Sequence, residues 1–444
     1  MNKEFHKKQN FFSFSDIDSE RKDRIMKFTS TEATPAPHVP PGVLRLTGAA
    51  KEDIPMYRIQ TMNKISPVGL NRFPSELYEV GDAVQDPQGI LVRSAKLLDL
   101  EFNPGLLAIA RAGVGVNNIP LDRCAAAGIP VFSTPGANAN AVKELVICAM
   151  LMGSRDIPGA IRWGREQAAS GVDVSTVVEK GKSAFIGPEL YKKTLGIIGL
   201  GAIGSIVANT AISLGMDVYG YDPFLSVDTA LRLDRHVHVV KDINDLYKRS
   251  DYITMHIHYT EKTARMIDAS AIAAMKRGVR VINLARGEIV DDEAMLTALD
   301  TGMVAAYITD FPNNRLLTAP HVIAMPHLGA STPESEQNCA AMAVDTLRDY
   351  LESGNIRSSV NLPEMTMDRS GVQRLCVLHK NVPGMLANIT SLFGRDGVNV
   401  ENLSNKSRGD YAYTMVDLGS KVGDNVIEDV RRTANVIRVR SLEW

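Results

Sequence analysis

The chain is poor in cysteine and has no closely paired cysteines. Its 444 residues include four, none of them in a C-x-x-C pair: Cys124, Cys148, Cys339 and Cys376. Scattered cysteines exclude a disulfide scaffold and fit a reducing compartment. They also argue against a structural zinc site, whose ligands are closely spaced. We therefore expect a cytoplasmic protein without a metal site.

The chain also lacks an excess of charge of either sign. It has 49 lysines and arginines against 51 aspartates and glutamates, for a formal net charge of −2. This balance provides no basic footprint, so nucleic acid is not an expected partner. Single arginines can still bind a small anion.

One uncharged run is long, but no pattern is typical of secretion. The first residues, MNKEFHKKQNFF, lack the apolar core of a signal peptide. Residues 194–216 carry no charge, and 23 residues are long enough to cross a bilayer. Five glycines interrupt this run as in a turn, so we predict no membrane span.

Four regions follow one another along the chain. Residues 1–55 are polar and proline-rich, which predicts a disordered tail. From Met56, short apolar strands alternate with helices, and six more strand candidates lie between residues 193 and 327. This alternation predicts α/β units with doubly wound parallel sheets. A linker follows, and residues 372–444 have the order strand, helix, strand, strand, helix, strand.

A glycine loop provides the first chemical signal. The sequence GLGAIG, Gly199 to Gly204, follows a predicted strand and precedes a predicted helix, and Asp222 ends the next strand. In this context Gly199 permits a tight turn, Gly201 lets the backbone approach a pyrophosphate, and Gly204 lets helix pack on strand. An acidic residue in the position of Asp222 binds the ribose hydroxyls and repels a 2′-phosphate. The sequence therefore predicts NAD rather than NADP as the cofactor; a glycine-rich packing turn is the alternative.

Arg286 and His327 follow two later strand candidates, RVINLA and HVIAMP. Ligands bind at the carboxyl ends of the strands in open α/β sheets, so both side chains are expected at the same edge. A guanidinium group binds carboxylate with two parallel hydrogen bonds, and imidazole exchanges a proton near neutral pH. The alternatives are a surface salt bridge for Arg286 and a packed core residue or metal ligand for His327.

These motifs together resemble a known family. The order GLGAIG, YDP, NLARG, TDF, PHLGAST is similar to that of the D-isomer-specific 2-hydroxyacid dehydrogenases, over about residues 56–444. LVRSAK, ARAGVGVNNIPLDRCAAAGI and TPGANANAVKELV resemble the substrate-domain motifs of the members that oxidise D-3-phosphoglycerate. The resemblance implies a substrate-binding lobe at 56–152 and 335–362 and a Rossmann-like NAD-binding lobe at 153–334. A linker at 363–371 and a regulatory domain at 372–444 would follow.

The resemblance also implies roles for individual residues. Arg286 would hold the substrate carboxylate and carbonyl, and His327 would give or take the proton. The implied cofactor contacts are Gly199, Gly201, Ala202, Ile203, Gly204, Asp222, Ala285 and Asp310, the last one near the nicotinamide. The implied substrate contacts are Arg93, Ser94 and Arg111.

Two stretches depart from the family pattern. Members usually carry a glutamate after the strand that ends here in TDFPNNRLL, and it orients the histidine. No carboxylate follows Asp310 before His327 in this chain, and Glu336, in the helix after PHLGAST, is the candidate substitute. In HIHYTEKT, His258 stands where the family has proline.

The last 73 residues resemble an ACT domain, a small-molecule-sensing α+β module with the order βαββαβ. The turn HKNVPG carries the likeness. His379, Asn381 and Asn399 align with positions that bind L-serine in serine-regulated members of the family. ACT domains usually pair side by side, which implies a homo-oligomer, a dimer or a tetramer. A domain that only dimerises is the alternative.

The resemblance thus implies NAD-dependent oxidation of D-3-phosphoglycerate to 3-phosphohydroxypyruvate, a step of serine biosynthesis, under feedback control by L-serine. Two alternatives stay open. A sister enzyme would act on glyoxylate, hydroxypyruvate or 2-oxoglutarate. A protein without catalysis would bind NAD as a sensor, and the missing glutamate is its only support.

Overall fold

The computed structural model describes residues 56–444, and the predicted tail at 1–55 lies outside the described residues. The strands are β1 (Tyr57–Met62), β2 (Tyr78–Gly81), β3 (Gly89–Val92), β4 (Ala108–Arg111), β5 (Val131–Phe132), β6 (Thr194–Ile198), β7 (Asp217–Tyr221), β8 (Val237–Val240), β9 (Tyr252–Met255), β10 (Val279–Asn283), β11 (Val304–Thr309), β12 (Val322–Ala324), β13 (Gln373–Lys380), β14 (Val400–Arg408), β15 (Tyr411–Leu418) and β16 (Val436–Glu443). The α-helices are α1 (Pro67–Leu70), α2 (Leu121–Ala126), α3 (Ala139–Arg155), α4 (Ile157–Ala169), α5 (Val174–Gly181), α6 (Ala202–Ser213), α7 (Val227–Arg232), α8 (Ile243–Arg249), α9 (Ala269–Ala273), α10 (Asp292–Asp300), α11 (Asn314–Thr318), α12 (Pro333–Ser353), α13 (Met385–Arg395) and α14 (Asp424–Arg432).

The first lobe is a parallel sheet with strand order β2-β1-β3-β4-β5. Helix α12 returns from the second lobe to cover it. The buried residues of α12 recur at helical spacing and pack on Ile59, Leu91 and Ala108 of the sheet. The return segment and the first strands therefore share one core.

The second lobe is a seven-stranded parallel sheet in the order β12-β11-β10-β9-β6-β7-β8. Helix α3 packs on it through Val142, Val146 and Met150. Helix α3 thus covers the second sheet, although the predicted bound at residue 152 assigns it to the first lobe. The bounds of the lobes stay a prediction. Strands β2 and β8 add to the predicted sets; β8 is a short strand at the edge of the second sheet, and none of its four residues is buried.

The C-terminal domain confirms the predicted βαββαβ order and forms an antiparallel sheet, β14-β15-β13-β16. Alternate residues of β13 face opposite sides of this sheet. Leu375 and Val377 pack under α13 and α14, whereas Cys376 and Leu378 pack into the core of the first lobe. Both faces are covered, which explains why nearly all of β13 is buried.

The C-terminal domain and the segment before it also cap the end of α12. The last carbonyls of a helix have no partner within the helix. Here Arg440 donates to the carbonyls of Tyr350 and Leu351, and Tyr413 donates to that of Gly354. The predicted linker is packed too, since Met365 and Met367 are buried in the same core. Among the described residues, no helix is long and apolar enough to cross a membrane.

Candidate active site

The glycine loop has the geometry that dinucleotide binding requires. Gly199, the first residue after β6, has φ +90°. A Cβ there would lie 2.6 Å from the carbonyl oxygen of His256. A Cβ on Gly204 would collide with the backbone of Gly199. Beside Gly201, in contrast, the space is open. Two glycines thus allow close packing, and the third leaves room for a ligand against the backbone.

The donors and the acid expected at this loop are also present. Helix α6 starts at Gly201 without a side-chain cap, so its first N–H groups remain for an anion. Asp222 follows β7, and its carboxylate accepts the backbone N–H groups of Leu200 and Phe224, both at 2.9 Å. These contacts hold the carboxylate against the glycine loop.

The predicted cofactor residues meet the predicted catalytic residues in one cleft. Its lining includes six of them: Gly201, Ala202, Ile203, Ala285, Arg286 and His327. The backbone of Arg286 is held in position, because the side chain of the buried Asn283 donates a hydrogen bond to the Arg286 carbonyl at 2.8 Å.

A neighbouring cavity of about 300 Å³ brings the substrate candidates together. Arg93, Arg111, Arg286 and His327 all line it, with the start of α12 on the opposite side. Arg111 Nε donates to the carbonyl of Arg93 at 3.0 Å. Burial and the positive charges of Arg286 and Arg93 lower the pKa of Arg111. Three guanidinium groups in one cavity can bind an anion of more than one charge, although Glu336, which also lines the cavity, pairs with Arg93.

His327 lines both of these cavities and also a third one. The ring lies 4.8 Å from that of Phe311, centroid to centroid. Asp310, at the end of β11, is fully buried and lines the third cavity with His327. Its Oδ2 accepts the Gly329 N–H at 2.9 Å, whereas Oδ1 has no hydrogen-bond partner among residues 56–444. Burial raises the pKa of Asp310, and the Gly329 hydrogen bond and the charge of His327 oppose this rise.

Comparison with known proteins agrees with this geometry. Residues 147–329 match the family described as D-isomer specific 2-hydroxyacid dehydrogenase, NAD binding domain. The D-3-phosphoglycerate dehydrogenase of Haemophilus influenzae is 31% identical, over 82% of this chain and 88% of the relative. The chain belongs to the D-isomer specific 2-hydroxyacid dehydrogenase family. The matched domain also confirms NAD as the cofactor.

Two further proteins are similar to this chain. The D-3-phosphoglycerate dehydrogenase of Synechocystis sp. is 36% identical over 71% of this chain, but the chain spans only 56% of that relative's length. The structure of NAD⁺-bound 3-phosphoglycerate dehydrogenase of Entamoeba histolytica has a TM-score of 0.54 at 25% identity. It covers 69% of this chain and 99% of its own. These likenesses agree with the observed two-lobed fold.

The family's orienting glutamate has no counterpart at its usual place. Asn313 and Asn314 begin the short helix α11, where the Asn313 side chain caps the helix. Glu336, the substitute considered from the sequence, forms an ion pair with Arg93 at 2.6 Å. Residues that the sequence analysis missed also line the substrate cavity, among them Asn138 and Cys339. Asn138 lies in TPGANANAVKELV, a motif that we noted as a whole.

The remaining predicted residues are placed outside the two clefts. Ser94 is next to Arg93, and its backbone N–H donates to Asn63 at 3.1 Å. His379 is buried, with one ring nitrogen 2.8 Å from the Lys380 carbonyl and the other 2.8 Å from Thr414 Oγ1. The side chain of Asn381 donates to the Gly409 carbonyl and that of Asn399 to Glu401. Their role as effector contacts stays a prediction.

Proposed function

We propose that this chain oxidises D-3-phosphoglycerate to 3-phosphohydroxypyruvate with NAD. The observation that carries the proposal is the meeting of three arginines and one histidine in a cavity next to the glycine loop. An NAD-linked oxidation of a 2-hydroxy acid needs these groups: a cation for the carboxylate, a base for the hydroxyl proton and a site for the cofactor.

The number of arginines supports a phosphorylated substrate. Arg286 lies next to the cofactor cleft and would hold the carboxylate. That leaves Arg93 and Arg111 for a phosphate group at the other end of a three-carbon acid. The names of the relatives reported above support the same substrate.

The residues of this chain divide the work of the reaction. The glycine loop, Asp222, Ala285 and Asp310 would hold NAD, which supplies a hydride acceptor when bound. Arg286 orients the substrate carboxylate and carbonyl. His327 takes the hydroxyl proton in oxidation and returns it in reduction. The guanidinium group also stabilises the negative charge that develops on the oxygen.

The C-terminal domain is the proposed sensor of L-serine, and a second copy of the chain is the proposed partner. Polar groups at Asn381 and Asn399 are exposed and can bind an amino acid. His379 is buried in its own domain, so serine would have to bind these two asparagines first. Inhibition requires that serine bind the less active state more tightly.

The test is NADH oxidation with 3-phosphohydroxypyruvate, with and without L-serine. We expect turnover that serine suppresses. Arg286→Ala should lower kcat/KM by about 10²–10³-fold, as the loss of one oxyanion donor does. His327→Ala should lower kcat by about 10²–10⁴-fold with a smaller change in KM. Normal turnover of His327→Ala would contradict its role as the acid and base.

One observation favours a second candidate, a dehydrogenase of an unphosphorylated 2-hydroxy acid. Glu336 neutralises Arg93 in the substrate cavity, which weakens the case for a phosphate there. The ratio of kcat/KM for phosphohydroxypyruvate to that for hydroxypyruvate, glyoxylate and 2-oxoglutarate decides between the two. A ratio below one for the phosphorylated substrate would replace the first proposal by the second.

A further inference from the structure

His327 is a base whose ring must be held in one orientation and one tautomer. A carboxylate beside an imidazole does this, and it stabilises the imidazolium that forms on proton transfer. The usual glutamate is missing here, and Glu336 is bonded to Arg93. Another carboxylate beside His327 would orient its ring and strengthen it as a base.

Asp310 has the features of that carboxylate. It begins the loop after β11 and is fully buried, although buried carboxylates are costly unless their oxygens are satisfied. Oδ2 accepts the N–H of Gly329, two residues beyond His327, and this bond holds the two loops together. Oδ1 is buried and has no hydrogen-bond partner in the part of the chain that the structure describes, and Asp310 lines the same cavity as His327.

We propose that Asp310 positions His327 for proton transfer and takes the place of the family's missing glutamate. In oxidation His327 would take the hydroxyl proton while bound NAD⁺ would supply the hydride acceptor, and Asp310 would stabilise the imidazolium without taking the proton. This proposal rests on the proposed function. It also differs from the sequence-based role of Asp310, which was a contact to the nicotinamide.

Four of the other charged groups that line this cavity are engaged elsewhere, and the fifth, Glu288, is exposed. The cavity is lined by Arg265, Glu288, Asp291, Asp292 and Glu293 in addition to Asp310, and Arg286 lines the neighbouring substrate cavity together with His327.

Four of those cavity residues have partners of their own. Asp291 caps helix α10, Asp292 accepts from the Asn313 side chain at 2.7 Å, and Glu293 pairs with Arg315. Arg265 lies 3.9 Å from Asp291. Asp310 is the fully buried carboxylate of the set, and burial strengthens its interaction with a nearby charge.

The test compares Asp310→Asn with the wild-type chain at full length. Asparagine keeps the volume and an acceptor for Gly329 but loses the charge. Two quantities are measured: the pH dependence of kcat/KM for D-3-phosphoglycerate, and the NMR titration of the His327 ring, assigned by its loss in His327→Gln. Asp292→Asn is the matched control, because it removes a carboxylate from the same cavity.

We expect the acid limb of the profile and the His327 titration to move to lower pH in Asp310→Asn, because a negative charge near the imidazole is removed. We expect kcat to fall about 10–100-fold. Asp292→Asn should move neither quantity. If Asp310 only contacts the nicotinamide, the Kd for NADH rises and the titration midpoint stays in place, which would overturn the proposal. The NMR titration decides this even if the wild-type chain turns over no 2-hydroxy acid, an outcome that would count against the proposed function alone.

Discussion

Two fully buried aspartates in this molecule have opposite surroundings. Asp417, in the C-terminal sheet, accepts two hydrogen bonds from Arg374, at 2.6 and 2.8 Å, and two from Ser370. Arg374 uses its remaining N–H groups on the carbonyls of Ser353, Met367 and Asp368. Asp310, at the end of a strand in the NAD-binding lobe, has one protein donor and one free oxygen.

This difference in hydrogen-bond partners distinguishes Asp417, a structural carboxylate, from Asp310, a carboxylate available for chemistry. A buried carboxylate with every position satisfied holds its surroundings in one arrangement. Here that arrangement joins the C-terminal domain to the end of α12. A buried carboxylate with a free oxygen has no such structural explanation and is typical of a site where a ligand or a reacting group completes the set.

The largest loss of stability is expected when the buried ion pair of Arg374 and Asp417 is broken. Arg374→Ala leaves Asp417 buried without its cation and frees three carbonyls. Loss of one partner of a buried ion pair costs about 3–5 kcal/mol. We expect the free energy of unfolding in urea to fall by that amount and the C-terminal domain to become sensitive to protease.

The control for this prediction is an exposed pair. Arg72 and Asp345 are bonded at 2.6 Å, but both side chains are about half exposed. Arg72→Ala should cost about 1 kcal/mol or less. Equal losses for the two variants would show that burial does not distinguish them.

The comparison becomes sharper when each aspartate is replaced by asparagine. Asp417→Asn loses the ion pair and should be strongly destabilised. Asp310→Asn should gain about 1 kcal/mol at neutral pH, because a buried charge with an unsatisfied oxygen is removed.

The direction of the Asp310 pKa shift determines how its contribution to stability changes with pH. Burial raises the pKa of Asp310, so the folded state binds this proton more tightly than the unfolded state does. The contribution to stability is present at low pH and is lost as pH rises above about 4, the ordinary aspartate value. The stability gain of Asp310→Asn should therefore be largest at neutral pH and shrink toward pH 4. A gain that grows as the pH falls would contradict the assignment.

The features that could be predicted from the sequence are those marked by a short motif or by the pattern of neighbouring residues. GLGAIG stands between a strand and a helix, and the structure places both as expected. The order βαββαβ of the last domain was also readable, since apolar alternation and turns mark each element. The missing glutamate in TDFPNNRLL was visible because a motif sets its position.

Features that depend on distant contacts could not be predicted. Arg374 and Asp417 are 43 residues apart, and neither sits in a motif. Helix α3 is apolar on a broad face, but only the fold decides which sheet it covers. Likewise, nothing in the sequence distinguished Glu336 as a partner of His327 from Glu336 as a partner of Arg93.

The smallest effect is expected from the ion pair of Arg93 and Glu336, which is nearly as exposed as that of Arg72 and Asp345. Arg93 and Glu336 are bonded at 2.6 Å, and each side chain is somewhat more than 40% exposed. Glu336→Gln frees Arg93 for a phosphate, so KM for 3-phosphohydroxypyruvate should fall about two- to fivefold, the equivalent of an exposed ion pair of up to ~1 kcal/mol. KM for hydroxypyruvate should not change, because that substrate has no phosphate, and Asp345→Asn serves as the control for loss of a negative charge on the same helix. If KM falls equally for both substrates, Glu336 repels the shared carboxylate instead, and Arg93 is not the phosphate contact.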